Sequence, residues 1–196
     1  DHDATLATVP VERIYNLIRV WTDRFLALEG IEYVKYVFEF ENKGSEVGVT
    51  LDHPHSLIYA YPFVPPRVAR EIEMSRQHEV ATGRCLLCDI AAEERHDGRR
   101  IVAENASFVA YVPFFARWPY EVHICSLRHL QALPDMEDAE QRDLASILKT
   151  VLVAYDNVFE RPFPYVMSIH QRPTDGQRYD YYHFHIEFYP PLRSTD

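Results

Sequence analysis

The sequence predicts an α+β protein made of two related halves, each an antiparallel sheet with helices packed on one face. Three observations carry that expectation. An amphipathic helix followed by two β-rich segments occurs near the start and again in the last third. Each copy comes with a histidine pair spaced i, i+2: His53-Pro54-His55 and His183-Phe184-His185. A single histidine precedes each helix, His2 lying 51 residues before His53 and His129 lying 54 residues before His183. On extended backbone, residues two apart point to one face of a sheet. The repeat therefore predicts a duplicated module with a histidine site in each copy.

The elements follow in order. Residues 9–29 place Ile14, Leu17, Ile18, Trp21, Phe25 and Leu28 at spacings of three and four. That is an amphipathic helix, with Thr8 as N-cap and Gly30 as its stop. Residues 32–40 are rich in Tyr, Val and Phe and predict a strand. Asn42-Lys43-Gly44 reads as a turn. Residues 47–50 and 57–61 flank the first histidine pair and look extended, until Pro62, Pro65 and Pro66 break the strand. A charged helix is expected from about Arg67 to His78, and the junction of the halves near residues 75–84. Strands are expected at 100–103, 108–112 and 121–125. Residues 135–158 then form a helix carrying Leu144, Ile147, Leu148, Val151, Leu152 and Tyr155 on one face. Its acidic start, Asp135-Met136-Glu137, suits the positive end of a helix dipole. Strands at 165–170 and 182–188 close the second copy, with Asp175-Gly176 in the loop between them. The two halves are expected to join into one larger sheet.

Bulk properties narrow the function. A chain of 196 residues, 47% apolar, can bury a core. The net charge of −10 argues against a general nucleic-acid or anionic-membrane surface, and leaves room for a small phosphate pocket. Three cysteines without a disulfide framework suggest a reducing compartment, hence the cytoplasm. No apolar run reaches the roughly 20 residues of a membrane span, and no signal peptide is visible. The chain opens on Asp1 and stops four residues after Leu192, so both ends are expected to be missing from a longer chain.

Histidine, cysteine and glutamate positions suggest chemistry. Cys85-Leu86-Leu87-Cys88 has the spacing of a metal knuckle, and the repeat adds His129 and His183 to give a four-ligand zinc site. The competing reading is two core thiols and two unrelated histidines. By the same logic His2 and His53 form half of a first zinc site. Cys125 reads as a packed thiol. Glu71, His170, His185 and Glu187 form a second candidate metal set, whose mixed imidazole and carboxylate donors suit iron or a second zinc. Glu71 alone would be an ordinary solvated helix residue. His55 is the candidate nucleophile if His53 is engaged by metal; otherwise it is a satisfied core histidine. His78, His96 and His123 receive no functional reading.

With these residues assembled, the chain resembles the galactose-1-phosphate uridylyltransferases of the histidine-triad superfamily. The matching phrases are Phe40-Glu41-Asn42-Lys43-Gly44, Asp52-His53-Pro54-His55, Val112-Pro113-Phe114-Phe115-Ala116-Arg117-Trp118-Pro119, Phe163-Pro164-Tyr165 with His170, and Phe188-Tyr189-Pro190-Pro191-Leu192. The resemblance implies two histidine-triad-like halves, with residues 1–78 the end of the first and 79–196 the second. It implies a homodimer that uses UDP-glucose and a hexose 1-phosphate. His55 would attack the α-phosphorus of UDP-glucose, glucose 1-phosphate would leave, and galactose 1-phosphate would accept the uridylyl group from His55. Asn42 would lie near the nucleophile loop and Thr50 would contact phosphate oxygens. The family's zinc site would fall on His2 and His53, and its second metal site on Glu71, His170, His185 and Glu187. One departure stands out: the family's His-Pro-His-Gly-Gln is here His53-Pro54-His55-Ser56-Leu57. The glutamine would donate to phosphoryl oxygens; Leu57 cannot, and Ser56 is the available substitute. Two alternatives stay open: a nucleotide-sugar phosphorylase or hydrolase of the same superfamily, and a catalytically silent, metal-stabilised nucleotide-binding relative.

Overall fold

The computed structural model describes residues 4–49 and 55–191. Four helices, α1 (Val11–Glu29), α2 (Pro66–Thr82), α3 (Leu86–Asp97) and α4 (Asp138–Val158), surround seven strands. The strands are β1 (Tyr36–Lys43), β2 (Ser56–Tyr61), β3 (Ile101–Glu104), β4 (Phe108–Tyr111), β5 (Val122–Ser126), β6 (Tyr165–His170) and β7 (His185–Tyr189). They form one antiparallel sheet in the order β2-β1-β6-β7-β5-β4-β3. The halves do join into a single sheet, and the seam is the β1–β6 pair, from Glu39 opposite Ile169 to Lys43 opposite Tyr165.

The order shows the duplication. β2-β1 and β6-β7 are mirrored about the seam, and α1 and α4 pack together beside it. Phe40 lies opposite Ser168, and an approximate two-fold through that pair exchanges α1-β1-β2 with α4-β6-β7. The two long helices share one face of the sheet, burying Ile14, Ile18 and Trp21 of α1 and Leu144, Leu148 and Leu152 of α4 against Ile124, Met167, Ile169, Ile186 and Phe188. Lys149 Nζ donates to the Val9 carbonyl at 2.8 Å, and Tyr15 donates to Asp138, so polar bonds also tie the halves. The opposite face carries α2, with Val68 and Ile72 near Tyr36 and Tyr182, and α3, with Ala91 against Val109 and Cys125.

Several local expectations change. Pro10, not Thr8, caps α1; Thr8 instead closes a turn with Thr5, its backbone N–H and hydroxyl both donating to the Thr5 carbonyl. Proline at the N-cap makes no side-chain capping bond, and it has no N–H to satisfy. Asn42 and Lys43 continue β1. The turn begins at Gly44, whose φ of +102° and close approach to Pro164 leave no room for a side chain: a Cβ there would lie 2.7 Å from Pro164 Cβ. The predicted helix at 135–158 starts later. Leu133–Asp135 is a 3-10 turn, and α4 begins after Glu137, whose backbone N–H donates to Glu140 at 2.8 Å. The expected strand at 182–188 begins only at His185, because the Phe184 N–H turns aside to the Leu130 carbonyl. Helix α3 has no counterpart in the predicted elements. Among the described residues no helix is long and apolar enough to cross a membrane.

Candidate metal centres and active site

The sequence places Cys85 and Cys88 at the start of α3. Cys85 is its N-cap, and its sulfur accepts the Cys88 N–H at 3.5 Å. His129 lies in the loop after β5 and His183 in the approach to β7, so the fold brings four separated residues to one point. Cys85 Sγ and Cys88 Sγ stand 3.6 and 3.3 Å from His183 Nδ1, and Cys88 Sγ stands 3.6 Å from His129 Nδ1. A tetrahedral zinc ion with ordinary bond lengths would separate sulfur and nitrogen ligands by about 3.6 Å. All four ligand atoms lie within 4.8 Å of one another. The remaining nitrogen of His183, Nε2, sits 3.0 Å from the Ser126 carbonyl and 2.7 Å from the Ser126 hydroxyl, which fixes Nδ1 as the ligand nitrogen. The neighbouring Cys88 thiol, with both imidazoles, pulls the Cys85 thiol well below its ordinary range against the effect of burial, while Cys88 is pushed up. Two thiols sharing one negative charge suit a divalent cation, which would take both as thiolates. The donor set therefore fits zinc.

A second cluster lies on the same sheet face, under α2. His170 at the end of β6 pairs in register with His185 at the start of β7, and their rings stack 4.6 Å apart. His170 Nδ1 donates to Glu71 Oε2 at 2.9 Å, and His185 Nδ1 donates to the His183 carbonyl at 2.9 Å. Both outer nitrogens are thus donors, which leaves a lone pair on each Nε2. Both lone pairs face Glu187: His170 Nε2 is 3.3 Å from Oε2 and His185 Nε2 is 3.6 Å from Oε1. His170 Nε2 is buried and makes no hydrogen bond among the described residues. With neutral rings these acceptors face acceptors, and either a metal ion or the second proton of a His170 imidazolium would satisfy them. Arg67 closes the set from outside, donating to Glu187 Oε2 at 2.7 Å and to Glu71 Oε1 at 3.1 Å.

The electrostatics show how strongly these groups are coupled. Burial alone would raise the Glu71 carboxyl, but the facing His170 imidazole outweighs it and holds Glu71 at about 2. Glu187 is depressed in the same way, against burial, chiefly by His170. Burial keeps the His185 imidazolium disfavoured, while the two carboxylates flanking His170 raise it against burial. Glu71, His170 and His185 offer ligand atoms within 4.8 Å of one another, and Glu187 adjoins both imidazoles. Oxygen and imidazole donors fit iron or zinc.

The third site is around His55, immediately before β2. His55 lines a cavity of about 360 Å³ with Arg13, Trp21, Glu41, Ser56 and Ile58. Glu41 is buried and accepts the Tyr165 hydroxyl at 2.8 Å and the Ser56 hydroxyl at 3.4 Å. Burial pushes the Glu41 carboxyl up to about 7, opposed by those hydrogen bonds and by His55. Asn42 follows on β1, and its side-chain oxygen is buried without a hydrogen bond among the described residues. Leu57 lies opposite Phe40 on β2, so it projects to the face away from Glu41. His2, Thr50 and His53 lie outside the described residues.

The structure adds groups that spacing did not single out. His123 on β5 and Glu121 just before it are both buried, with Glu121 Oε1 2.9 Å from His123 Nε2. His123 also lies 3.5 Å from Glu187 Oε1, at the rim of the second cluster. The only available signal was the alternation Glu121, His123, Cys125 along one predicted strand. Cys125 is buried as expected, but its sulfur lies 3.6 Å from His183 Nε2, directly behind the first cluster.

Similarity to known proteins extends over the whole chain. The family model for the N-terminal domain of galactose-1-phosphate uridyl transferase matches residues 1–65, and that for its C-terminal domain matches residues 71–196. The galactose-1-phosphate uridylyltransferase of Thermotoga maritima is 40% identical over 197 residues, covering 100% of this chain and 61% of its own length. That of Haemophilus influenzae is 38% identical, covering 98% of this chain and 54% of its own. A solved uridylyltransferase superposes with a TM-score of 0.92 at 40% identity, over 97% of this chain and 60% of that one. An ADP-glucose phosphorylase from Arabidopsis thaliana superposes with a TM-score of 0.90 at 24% identity, over 100% of this chain and 61% of that one, a likeness of fold. The chain thus spans a little over half of the length of these relatives.

Proposed function

Because the chain belongs to the galactose-1-phosphate uridylyltransferase family, we propose that it transfers a uridylyl group between hexose 1-phosphates through His55. The donor is UDP-glucose and the acceptor galactose 1-phosphate. An imidazole nitrogen of His55 attacks the α-phosphorus, the bond to the β-phosphate oxygen breaks, and glucose 1-phosphate leaves. The acceptor's phosphate oxygen then attacks the same phosphorus, releasing His55 and giving UDP-galactose. The observation that carries this reading is the different fate of the two repeats. In the second copy both histidines of the pair adjoin metal-type donor sets. In the first, His55 lines a cavity beside Arg13 and Ser56.

The repeat also bears on which nitrogen reacts. His185 Nδ1 is tied to the carbonyl two residues back, and the same tie at His55 would leave Nε2 as the nucleophile. Asn42, Thr50 and Ser56 are the candidate phosphate contacts. Cys85, Cys88, His129 and His183 would hold zinc, and Glu71, His170, His185 and Glu187 iron or a second zinc; such ions would act as cross-links that fix the sheet beneath the site. His2 and His53 would contribute to a further zinc site. A homodimer in the cytoplasm completes the reading.

Leu57 favours a second reading, a binding relative in which transfer is silent. One experiment separates them: intact-protein mass spectrometry after mixing with UDP-glucose at neutral pH, with His55→Ala as control. A gain of one uridylyl group that vanishes in the control supports transfer. Retention of UDP-glucose with no gain overturns transfer in favour of binding.

A further inference from the structure

Glu121 and His123 have no part in the function proposed above, yet both are buried against the second cluster. Glu121 is fully engaged: Oε2 accepts the backbone N–H groups of Arg117 and Trp118 at 2.8 and 3.1 Å, and Oε1 lies 2.9 Å from His123 Nε2. A carboxylate pinned in this way is an acceptor, so the contact assigns the proton to His123 Nε2. That N–H is therefore a donor and not a metal ligand. It also faces Glu187 Oε1 at 3.5 Å, across the β5–β7 pair in which His123 and Glu187 are register partners.

We propose that Glu121 and His123 are positioning residues for the second metal centre: the His123 N–H, donated to Glu121 at 2.9 Å, also draws Glu187 Oε1 toward β5 as a longer, second acceptor at 3.5 Å, so that Oε2 is presented to the ion between His170 and Glu71. This rests on the reading of that cluster as a metal site. Three features support it. Glu187 Oε2 already lies on the His170 side, 3.3 Å from Nε2, with Arg67 behind it. The other group facing Oε1 is His185 Nε2, whose lone pair repels a carboxylate, so among the described residues His123 supplies the neutral donor on that side. The His123 ring is packed between Tyr111 and Phe115, with centroids at 6.1 and 5.8 Å, which limits its rotation away from Glu187. Outer-sphere partners of this kind change metal affinity by about 10- to 100-fold.

The test is a Zn²⁺ titration of the metal-stripped chain against a chromophoric chelator, with Co²⁺ spectra to report the thiolate site separately. The intact chain is expected to bind an ion at each cluster. His123→Leu is expected to lose about 10- to 100-fold in affinity at the second cluster with the cobalt–thiolate band unchanged, and His123→Gln, whose amide keeps an N–H, to recover much of it. Wild-type affinity at both clusters in His123→Leu overturns the positioning role. If the intact chain and His170→Ala bind the same number of ions, the metal reading itself falls, and the positioning role with it. Should His123→Leu fail to fold, Glu121→Gln decides: weakened binding at the second cluster alone supports the proposal, and unchanged binding overturns it.

Discussion

At the scale of single residues, Leu57 is the position where this chain's chemistry can be tuned. The two-fold that maps His55 onto His185 maps Leu57 onto Glu187, since both lie two residues further along equivalent strands. In one copy the position carries a carboxylate of the proposed metal cluster; in the other it carries an alkyl group two residues along the chain from the proposed nucleophile. A group that developing phosphoryl charge meets should donate a hydrogen bond, and removing such a donor costs on the order of 100- to 1000-fold in rate. Leu57→Gln is therefore expected to raise the rate of His55 uridylylation by at least about tenfold, and Leu57→Glu, close in shape to that glutamine, to abolish it by repelling the phosphate. Single-turnover adduct formation measures both, and equal rates in the two variants would sink the idea. The Cys85, Cys88, His129 and His183 set was legible because cysteine spacing and the repeat pointed to the same four residues. His123 was not, because a histidine's role here depends on which carboxylate fixes its proton. That carboxylate lies two residues away in sequence and takes part through a loop conformation that spacing does not encode.

At the scale of elements, α3 shows what the first cluster does for the fold. Its sequence, Leu86 to Asp97, buries only Ala91 and Glu94, so its apolar periodicity is too weak to announce a helix. What holds it is lateral. Cys85 and Cys88 anchor its first turn, His78 Nε2 meets Asp89 at 2.7 Å, and Arg100 pairs with buried Glu94 at 2.7 Å. α1 and α4 were legible because they carry broad apolar stripes into the main core. Removal of the proposed zinc should therefore loosen α3 selectively. With chelator, or in Cys88→Ser, the amides of residues 86–97 are expected to exchange about tenfold faster or more, while those of α1 and α4 keep their protection. Hydrogen exchange read by mass spectrometry is the measurement. Unchanged α3 protection in the metal-free chain would mean that the ion pairs alone hold the helix.

At the scale of the whole molecule, the seam between the halves contains a buried acid, Glu39, whose neutral form burial favours. On β1, Tyr36, Phe38 and Phe40 alternate with Glu39 and Glu41, and the sequence does not say which set faces the main core. Helices cover both faces, and the glutamates fall on the α1–α4 side. The joined sheet was foreseeable from the repeat, but the orientation of this strand was not, since it is set by the seam with β6. Glu39 is fully buried, and its Oε2 accepts Gln171 Nε2 at 2.6 Å, while Gln171 Oε1 accepts the Leu133 N–H at 3.0 Å. Burial pushes the Glu39 carboxyl up to about 8, with the Gln171 hydrogen bond opposing. An acid raised in the folded state binds a proton that the unfolded chain releases near pH 4.5. Folding stability must then fall as pH rises from about 4.5 to 8, and level off above that. Each tenfold change in an acid's dissociation constant on folding corresponds to about 1.4 kcal/mol. Relaxation around a buried acid reduces the sum, so a loss of roughly 2–4 kcal/mol is expected across the window. Glu41, raised to about 7, adds a slope of the same sign, so the comparison must isolate Glu39. Glu39→Gln keeps the shape and an acceptor for Gln171 but cannot ionise. Urea unfolding at pH 5, 7 and 9 should show the variant's stability falling less steeply than the wild type's, with the gap opening toward alkaline pH. Parallel pH profiles would mean that Glu39 is ionised in the folded state and that Gln171 compensates its charge.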